Sequence, residues 1–444
     1  MSKYFGTDGF RGEANTVLTA EHAFKIGRYL GWYYNQHSKG RIVIGKDTRR
    51  SSYMYEYALV AGITASGSDA FMLHVTTTPS VAYVVRTENF DCGIMVSASH
   101  NPYHDNGIKV LDGNGHKISA DLEAAMEKYI DGEIDELPYA KMDKIGVAKD
   151  YAMGRNRYVG YLISLATRSY DGMRVGLDCS NGSASSIAKN VFDALGAKTY
   201  VINCEPDGTN INDGCGSTHI EKLQELVKEK GLDVGFAFDG DADRCIAVDE
   251  NGKEIHGDYV LYVCGKYLKE CGKLQGNTVV ATVMSNMGLF KALEREDIKH
   301  CITKVGDKYV NEAMVANGYV LGGEQSGHVI FSKHATTGDG ILTAIMLMEV
   351  ILEKKESLGK LASGMHMYPQ RLDNVRVTDK QAIMTNKDVL ALNDQIGEEL
   401  GDKGRILLRE SGTEPVIRVM VEAEEKELCD KYVEKMVDMI NKLI

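Results

Sequence analysis

VGFAFDGDADRCIAVD, residues Val234 to Asp249, reads as two short apolar strands joined by a loop with three aspartates at alternate positions. Five apolar or small residues in a row, Val234–Phe238, form a strand buried on both faces. The preceding stretch, Thr218 to Lys230, puts Ile220, Leu223, Leu226 and Val227 on one helical face. A helix feeding a buried strand is the unit of an α/β layer. The loop poses a separate problem. Asp239, Asp241 and Asp243 crowd three like charges, which is costly without a cation. Oxygen-only ligands suit a hard ion, Mg²⁺ or Ca²⁺. Three single carboxylates fall short of a calcium cage and leave room for a phosphate oxygen, so Mg²⁺ is expected. An EF-hand would use Glu250 at the twelfth position, but Arg244 stands where its turn glycine belongs and both flanks are strand-like. A solvated acidic turn is the bland alternative.

The same alternation extends in both directions. Strands are expected at Arg41–Gly45, Ala70–Val75, Gly93–Val96, Met173–Asp178, Thr199–Asn203, Thr278–Val283, Ile302–Val305 and Tyr319–Leu321. Helices are expected over Tyr53–Ala65, near Ala184–Leu195 and over Asp339–Glu353. Mixed or parallel sheets follow. The last 75 or so residues differ: helix Lys387–Leu400, strands Arg405–Leu408 and Val416–Glu422, and a terminal helix make a small α+β domain. A chain of 444 residues is too long for one core. The expected domains are residues 1–152, 153–253, 254–366 and 367–444.

Composition narrows the class. Hydrophobic residues are 43% and charged residues 26%, ordinary for a globular protein, and no apolar run reaches membrane-span length. No membrane partner is expected. The start, MSKYFGTDGFRG, lacks the apolar core of a signal peptide. Nine scattered cysteines without a C-x-x-C pair speak for a reducing cytoplasm. A net charge of −12 disfavours nucleic acid and would repel an anionic ligand at long range, so a phosphate needs positive charge supplied locally.

Four further stretches could carry chemistry. GIMVSASHNPYHDNGIK, Gly93 to Lys109, ends an apolar strand in Ser99 and His100 and reaches Lys109 ten residues after the serine. No G-x-S-x-G elbow occurs, so a serine carrying a phosphoryl group is the chemical reading and a polar turn the plain one. Arg409 to Pro415, RESGTEP, lies between two strands; with Arg418 it offers hydroxyls, backbone N–H groups and guanidinium forks suited to phosphate. A hairpin turn is its alternative. Gly322 to His328, GGEQSGH, presents a carboxylate, an amide and a hydroxyl that could pair with sugar hydroxyls or an amine. Gly6 to Gly12, GTDGFRG, places Arg11 on a glycine-rich turn.

The order GTDGFRG, SASHNP with NGIK, DGDADR, GGEQSGH and RESGTEP resembles the α-D-phosphohexomutase superfamily, from residue 4 to about 420. The resemblance implies four domains around a central cleft: three α/β domains of similar topology with mixed sheets, plus the C-terminal α+β domain. It implies that Ser99 is a phosphoserine and that Asp239, Asp241 and Asp243 hold Mg²⁺ with a phosphoserine oxygen. Lys109 and His100 would stand near the reacting hydroxyls, with Lys109 as general acid/base, and Arg11 and Arg244 would steady the transferring phosphate. Glu324 and Ser326 would form the sugar-hydroxyl loop. Arg409, Ser411, Gly412, Thr413 and Arg418 would hold the non-transferring phosphate. Lys308 stands where the family often has arginine, which leaves its role open.

Length, GTDGFRG and the glutamine of GGEQSGH are similar to the branch that interconverts glucosamine 6-phosphate and glucosamine 1-phosphate for cell-wall precursors, through a bisphosphorylated sugar. A phosphosugar substrate is the expected partner, and a homodimer is compatible with the family. A mutase acting on mannose or glucose phosphates is the first alternative, and a non-enzymatic sugar-phosphate module the second.

Overall fold

The computed structural model describes residues 3–6, 8–411 and 415–443. The chain packs as two units. The first holds residues up to Met284 together with Glu296–Gly364, and the second holds Ser285–Arg295 with Met365 onward.

Three sheets of the first unit share one topology. In chain order, strands Arg41–Lys46, Asp69–Val75, Cys92–Val96 and Asp105–Asp112 line up as second, first, third, fourth. The first three are parallel and the fourth is antiparallel to the third. Strands Arg174–Asp178, Lys198–Ile202, Val234–Phe238 and Cys245–Val248 repeat this order and these directions. Strands Thr278–Thr282, Lys299–Thr303, Leu321–Gly323 and Val329–Phe331 repeat it again. The first sheet is extended by Gly9–Glu13 and Phe5–Gly6 beyond the fourth strand and by Ala148–Asp150 beyond the second. The loop from third to fourth strand carries Ser99 in the first sheet, the three aspartates in the second and Glu324 in the third. Parallel strands joined by helices are covered on both faces, which is why Cys92–Val96 and Val234–Phe238 are buried throughout.

Observed strands depart from expectation by a residue or three at their ends. The third-sheet strands fall at Lys299–Thr303 and Leu321–Gly323, each displaced toward the residues whose backbone pairs with Thr278–Thr282. The helix expected near Ala184–Leu195 is broken into a short 3-10 turn, Ser183–Ser186, and a helix, Ala188–Ala194. Ser-Ala-Ser-Ser is a weak helix former, because hydroxyls compete for backbone groups; the Ser186 hydroxyl donates to the Ser183 carbonyl at 3.3 Å.

The second unit is a three-stranded antiparallel sheet, ordered Gln370–Arg376, Val416–Ala423, Gly404–Glu410, with helices Lys387–Leu400 and Lys426–Asn441. Val389, Ile396, Val419, Val433 and Ile440 fill its core. Buried Glu422 accepts from Asn286 Nδ2 (3.2 Å), the Met287 N–H (3.0 Å) and Arg405 Nε (2.7 Å), tying the Ser285–Arg295 segment into this unit. Among the described residues, no helix is long and apolar enough to cross a membrane.

Candidate active site

Ser99 follows its strand by three residues and takes the left-handed backbone conformation, φ 52°. Its N–H donates to Ser97 Oγ at 2.9 Å. The side chain is buried, and its Oγ donates to Asp239 Oδ2 at 2.6 Å and lies 3.2 Å from His100 Nδ1. Non-glycine residues at positive φ are strained and cluster where function demands a geometry. Ala242, in the middle of the aspartate loop, is a second one, at φ 55°. The Ala242 carbonyl accepts from the Gly340 N–H at 2.9 Å, at the start of the helix Gly340–Lys354. Gly240 has no side chain for a reason of space: a Cβ there would lie 2.5 Å from the Ser99 carbonyl oxygen.

Asp239, Asp241 and Asp243 are buried, with ligand oxygens within 4.8 Å of one another. Lys109 Nζ donates to Asp241 Oδ2 at 2.8 Å and to Asp243 Oδ2 at 3.2 Å. Thr78 Oγ1 also donates to Asp241 Oδ2, at 2.6 Å, and the Arg244 N–H donates to Asp239 Oδ1 at 3.1 Å. Among the described residues, Asp241 Oδ1 and Asp243 Oδ1 are buried and receive no hydrogen bond. Burial, then the charges of Asp243 and Asp241, push the Asp239 carboxyl well above the usual range. Burial opposes ionisation of Asp243 too, but Lys109, His328 and Arg244 hold it well below. The cluster is thus short of positive charge and has two bare buried acceptors, all oxygen. That donor set fits a hard divalent cation. Glu250, the EF-hand candidate, is engaged elsewhere: its carboxylate accepts from Ser357 Oγ and the Gly359 N–H.

Around the cluster runs a chain of alternating charge that sequence reading largely missed. Asp8 pairs with Arg11 and lies 3.4 Å from Lys109 and 3.5 Å from Lys117. Lys117 pairs with Asp307 at 2.7 Å, and His328 stands 3.9 Å from Asp307 and 3.6 Å from Asp243. Burial resists the charge on Asp8, but Lys109, Arg11 and Lys117 prevail and hold its carboxyl well below the usual range. Burial likewise resists the Lys109 ammonium, which Asp241, Asp243 and Asp8 hold well above its ordinary value. Burial, then Arg244 and Arg11, push His100 down to about 4, so its ring is neutral at pH 7. Burial opposes a second proton on His328, whereas Asp243, Asp307 and Glu324 favour one. Yet the Gly338 N–H donates to His328 Nε2 at 3.0 Å and needs a lone pair there. We therefore take the neutral ring, with its proton on Nδ1 toward Asp243.

Glu324 anchors its loop, accepting the Gly306 N–H at 3.0 Å, while Ser326 is exposed. Lys308 opens the helix Asp307–Asn317 and, with Asp8, Lys109, Lys117 and Asp307, lines a cavity of about 380 Å³. In the second unit Arg409 and Arg418 sit directly opposite each other on paired strands. Like charges directly opposite each other destabilise a sheet, and both would attract an added anion. Burial and the neighbouring Arg418 lower the Arg409 pKa. Ser411 is buried, and Lys380 Nζ donates to its carbonyl at 2.7 Å, a contact without a sequence signal. Gly412 and Thr413 lie outside the described residues.

Four domain families match the chain. Phosphoglucomutase/phosphomannomutase alpha/beta/alpha domain I matches residues 2–136, domain II residues 156–252, domain III residues 256–368, and the C-terminal domain residues 372–439. The phosphoglucosamine mutase of Lachnospira eligens is 63% identical over 443 residues, 99% of this chain and 98% of its own. A phosphoglucomutase/phosphomannomutase family protein from Burkholderia thailandensis shares the fold, with TM-score 0.79 at 22% identity over 98% of this chain and 96% of its own. Aspergillus fumigatus N-acetylphosphoglucosamine mutase, solved with GlcNAc-6P and magnesium, shares it with TM-score 0.71 at 16% identity over 99% and 96%.

Proposed function

The chain belongs to the phosphoglucomutase/phosphomannomutase family, and on that premise we propose that it interconverts glucosamine 6-phosphate and glucosamine 1-phosphate through a phosphoserine and a bisphosphate intermediate. The observation that carries the chemistry is the buried Ser99 Oγ, 2.6 Å from Asp239 within a cluster of three carboxylates. That contact supports a serine that carries a group next to a cation over a serine that merely closes a turn. Identity of 63% over nearly the full length of a phosphoglucosamine mutase supports the amino sugar over neutral hexoses.

Asp239, Asp241 and Asp243, with an oxygen of the phosphorylated Ser99, would hold Mg²⁺, which when bound offsets the negative charge of the carboxylates and the phosphoryl group. In the transfer, the bond from phosphorus to Ser99 Oγ breaks as the bond to the sugar hydroxyl oxygen forms. The sugar hydroxyl gives its proton to neutral His100, and the departing Ser99 oxygen takes one from the Lys109 ammonium, so the number of protons is unchanged. Lys109, held as an ammonium, is set to donate, and neutral His100 beside Oγ is set to accept. Arg11 and Arg244 bring fixed positive charge to the phosphoryl group in flight. Glu324 and Ser326 take the sugar hydroxyls. Arg409, Ser411 and Arg418, with Gly412 and Thr413, take the phosphate that is not moving; the opposed arginines support this, since an anion relieves their repulsion. The bisphosphate then turns around and returns its other phosphate to Ser99. A bisphosphorylated sugar would also restore a Ser99 that has lost its phosphate. Nine free thiols support a cytoplasmic setting, and a homodimer is proposed on family grounds.

The test is kcat/KM for glucosamine, glucose and mannose phosphates, with Ser99 phosphate followed by intact mass. Preference for glucosamine phosphates with phosphate on Ser99 that turns over is expected. Preference for a neutral hexose phosphate would shift the assignment to the phosphomannomutase/phosphoglucomutase alternative.

A further inference from the structure

The strain at Ser99 raises the question of what holds it, because a positive φ outside glycine persists only where the surroundings over-determine it. Two donors meet on the Ser99 carbonyl oxygen: Asn212 Nδ2 at 2.8 Å and Arg49 Nη2 at 3.2 Å. The same two atoms grip the Asn101 carbonyl, at 3.0 Å and 2.6 Å. They come from opposite sides, Arg49 from the segment matched as domain I and Asn212 from that matched as domain II. Arg49 also reaches Ser97 Oγ at 3.4 Å, the atom that accepts the Ser99 N–H. Arg49 is fully buried and is itself fixed by a buried ion pair with Asp47, which in turn accepts from Ser52 Oγ. Asn212 is fixed through its own N–H on the Ser180 carbonyl at 2.9 Å. Gly240 leaves the third side of the Ser99 carbonyl clear.

We infer that Arg49 and Asn212 are positioning residues for phosphoryl transfer, clamping the Ser99 carbonyl so that Oγ stays aimed at Asp239. The inference rests on Ser99 being the phosphoryl carrier. A phosphorylated Ser99 brings more negative charge to three carboxylates, which pushes the loop outward. A grip on the backbone resists that push without occupying Oγ. It also presents Oγ identically to both ends of a bisphosphate, as a reversible transfer requires. Both grip the backbone around Ser99 rather than the reacting group, so their loss should act on kcat rather than on KM.

The experiment uses the full chain with Asn212→Ala, Asn212→Asp and Arg49→Lys. It measures forward and reverse kcat and KM, Ser99 phosphate by intact mass, and thermal unfolding. Asn212→Ala should lower kcat about tenfold, the rate equivalent of one hydrogen bond, with KM within about twofold. Asn212→Asp should be slower still, because it turns a carboxylate toward two carbonyl oxygens. That order is the signature of a donor: a packing role would rank the isosteric aspartate above alanine. Arg49→Lys keeps the charge facing Asp47 but cannot span two carbonyls, and its kcat should fall with KM unmoved. It decides the matter if the Asn212 variants do not fold. A folded Asn212→Asp with wild-type kcat, KM rising as kcat falls, or a fully active Arg49→Lys would overturn the clamp. Wild-type turnover without phosphate on Ser99 would instead overturn the carrier reading beneath it.

Discussion

Replacing Lys109 with methionine should make the protein less stable and yet a better metal binder. Lys109 Nζ lies within 3.4 Å of carboxylates from Asp241, Asp243 and Asp8, and its side chain is 4% exposed. Methionine fills similar space without charge, so three carboxylates, two of them buried, lose a shared cation. Removing one partner of a buried ion pair costs about 3–5 kcal/mol. In chelator, the unfolding midpoint of Lys109→Met should drop accordingly. A divalent cation at a hundred times its Kd should return about 2.7 kcal/mol. The wild type should gain less from the same cation, because its ammonium already sits on Asp241 Oδ2. Two unit charges 4 Å apart exchange about 4 kcal/mol at an effective dielectric near 20, so losing that repulsion should tighten Mg²⁺ at least about tenfold. Calorimetric titration with Mg²⁺ and unfolding in chelator are the assays, and turnover should be lost. Unchanged stability in chelator, or Mg²⁺ affinity equal to or weaker than wild type, would refute the argument that Lys109 and the cation share these ligands.

Ser99→Ala should abolish turnover while the protein stays folded; activity near wild type in clean protein would end the phosphoserine mechanism. Arg418→Ala should lower kcat/KM in both directions by about tenfold or more and release bisphosphate in mid-cycle, since charge-assisted hydrogen bonds contribute about 1.5–3 kcal/mol each. A defect in one direction alone would mean the two phosphates use different cradles. Asp339 caps the helix Gly340–Lys354, accepting from the Leu342 N–H and from Tyr158 Oη, and burial pushes it up to about 6, with Asp243 adding to the rise. Its folded form keeps a proton that the unfolded chain has shed, so this group removes stability as pH rises from about 4 to 6, and the deficit is full above that. Asp339→Asn should therefore stabilise at pH 7 by up to about 3 kcal/mol and give no gain at pH 4. A gain that is the same at both pH values would show that its titration is not the cause.

The parts of the site that were legible from sequence are those whose meaning is local. Asp239, Asp241 and Asp243 announce themselves because three like charges cannot follow a buried strand without a reason. Ser99 stood out because it ends such a strand beside His100. What stayed hidden depends on long-range contact. Arg49 reaches Ser99 across 50 positions and Asn212 across 113, and neither lies in a stretch with an unusual composition. Lys117 and Asp307 are 190 positions apart. Asp8 and His328 were inside quoted motifs, GTDGFRG and GGEQSGH, but gained their roles only once Lys109 and Asp243 were seen beside them. Glu250 cannot complete an EF-hand, because Arg244 stands at the turn-glycine position and both flanks are strands, and its carboxylate is taken by Ser357 and Gly359 instead.

Three sheets with one strand order put their working loops at one and the same place, the crossing from third to fourth strand. One strand order thus recurs three times, and in the proposed mechanism each copy supplies one tool: a carrier, an anchor for a cation, a grip for sugar. In that mechanism no copy would act alone, because Ser99 meets Asp239 and Lys109 meets Asp241 where separate copies adjoin. The labour is divided among modules that could diverge one at a time. If the roles fall as proposed, a new sugar would be learned by redrawing the third loop while the first two were left as they were.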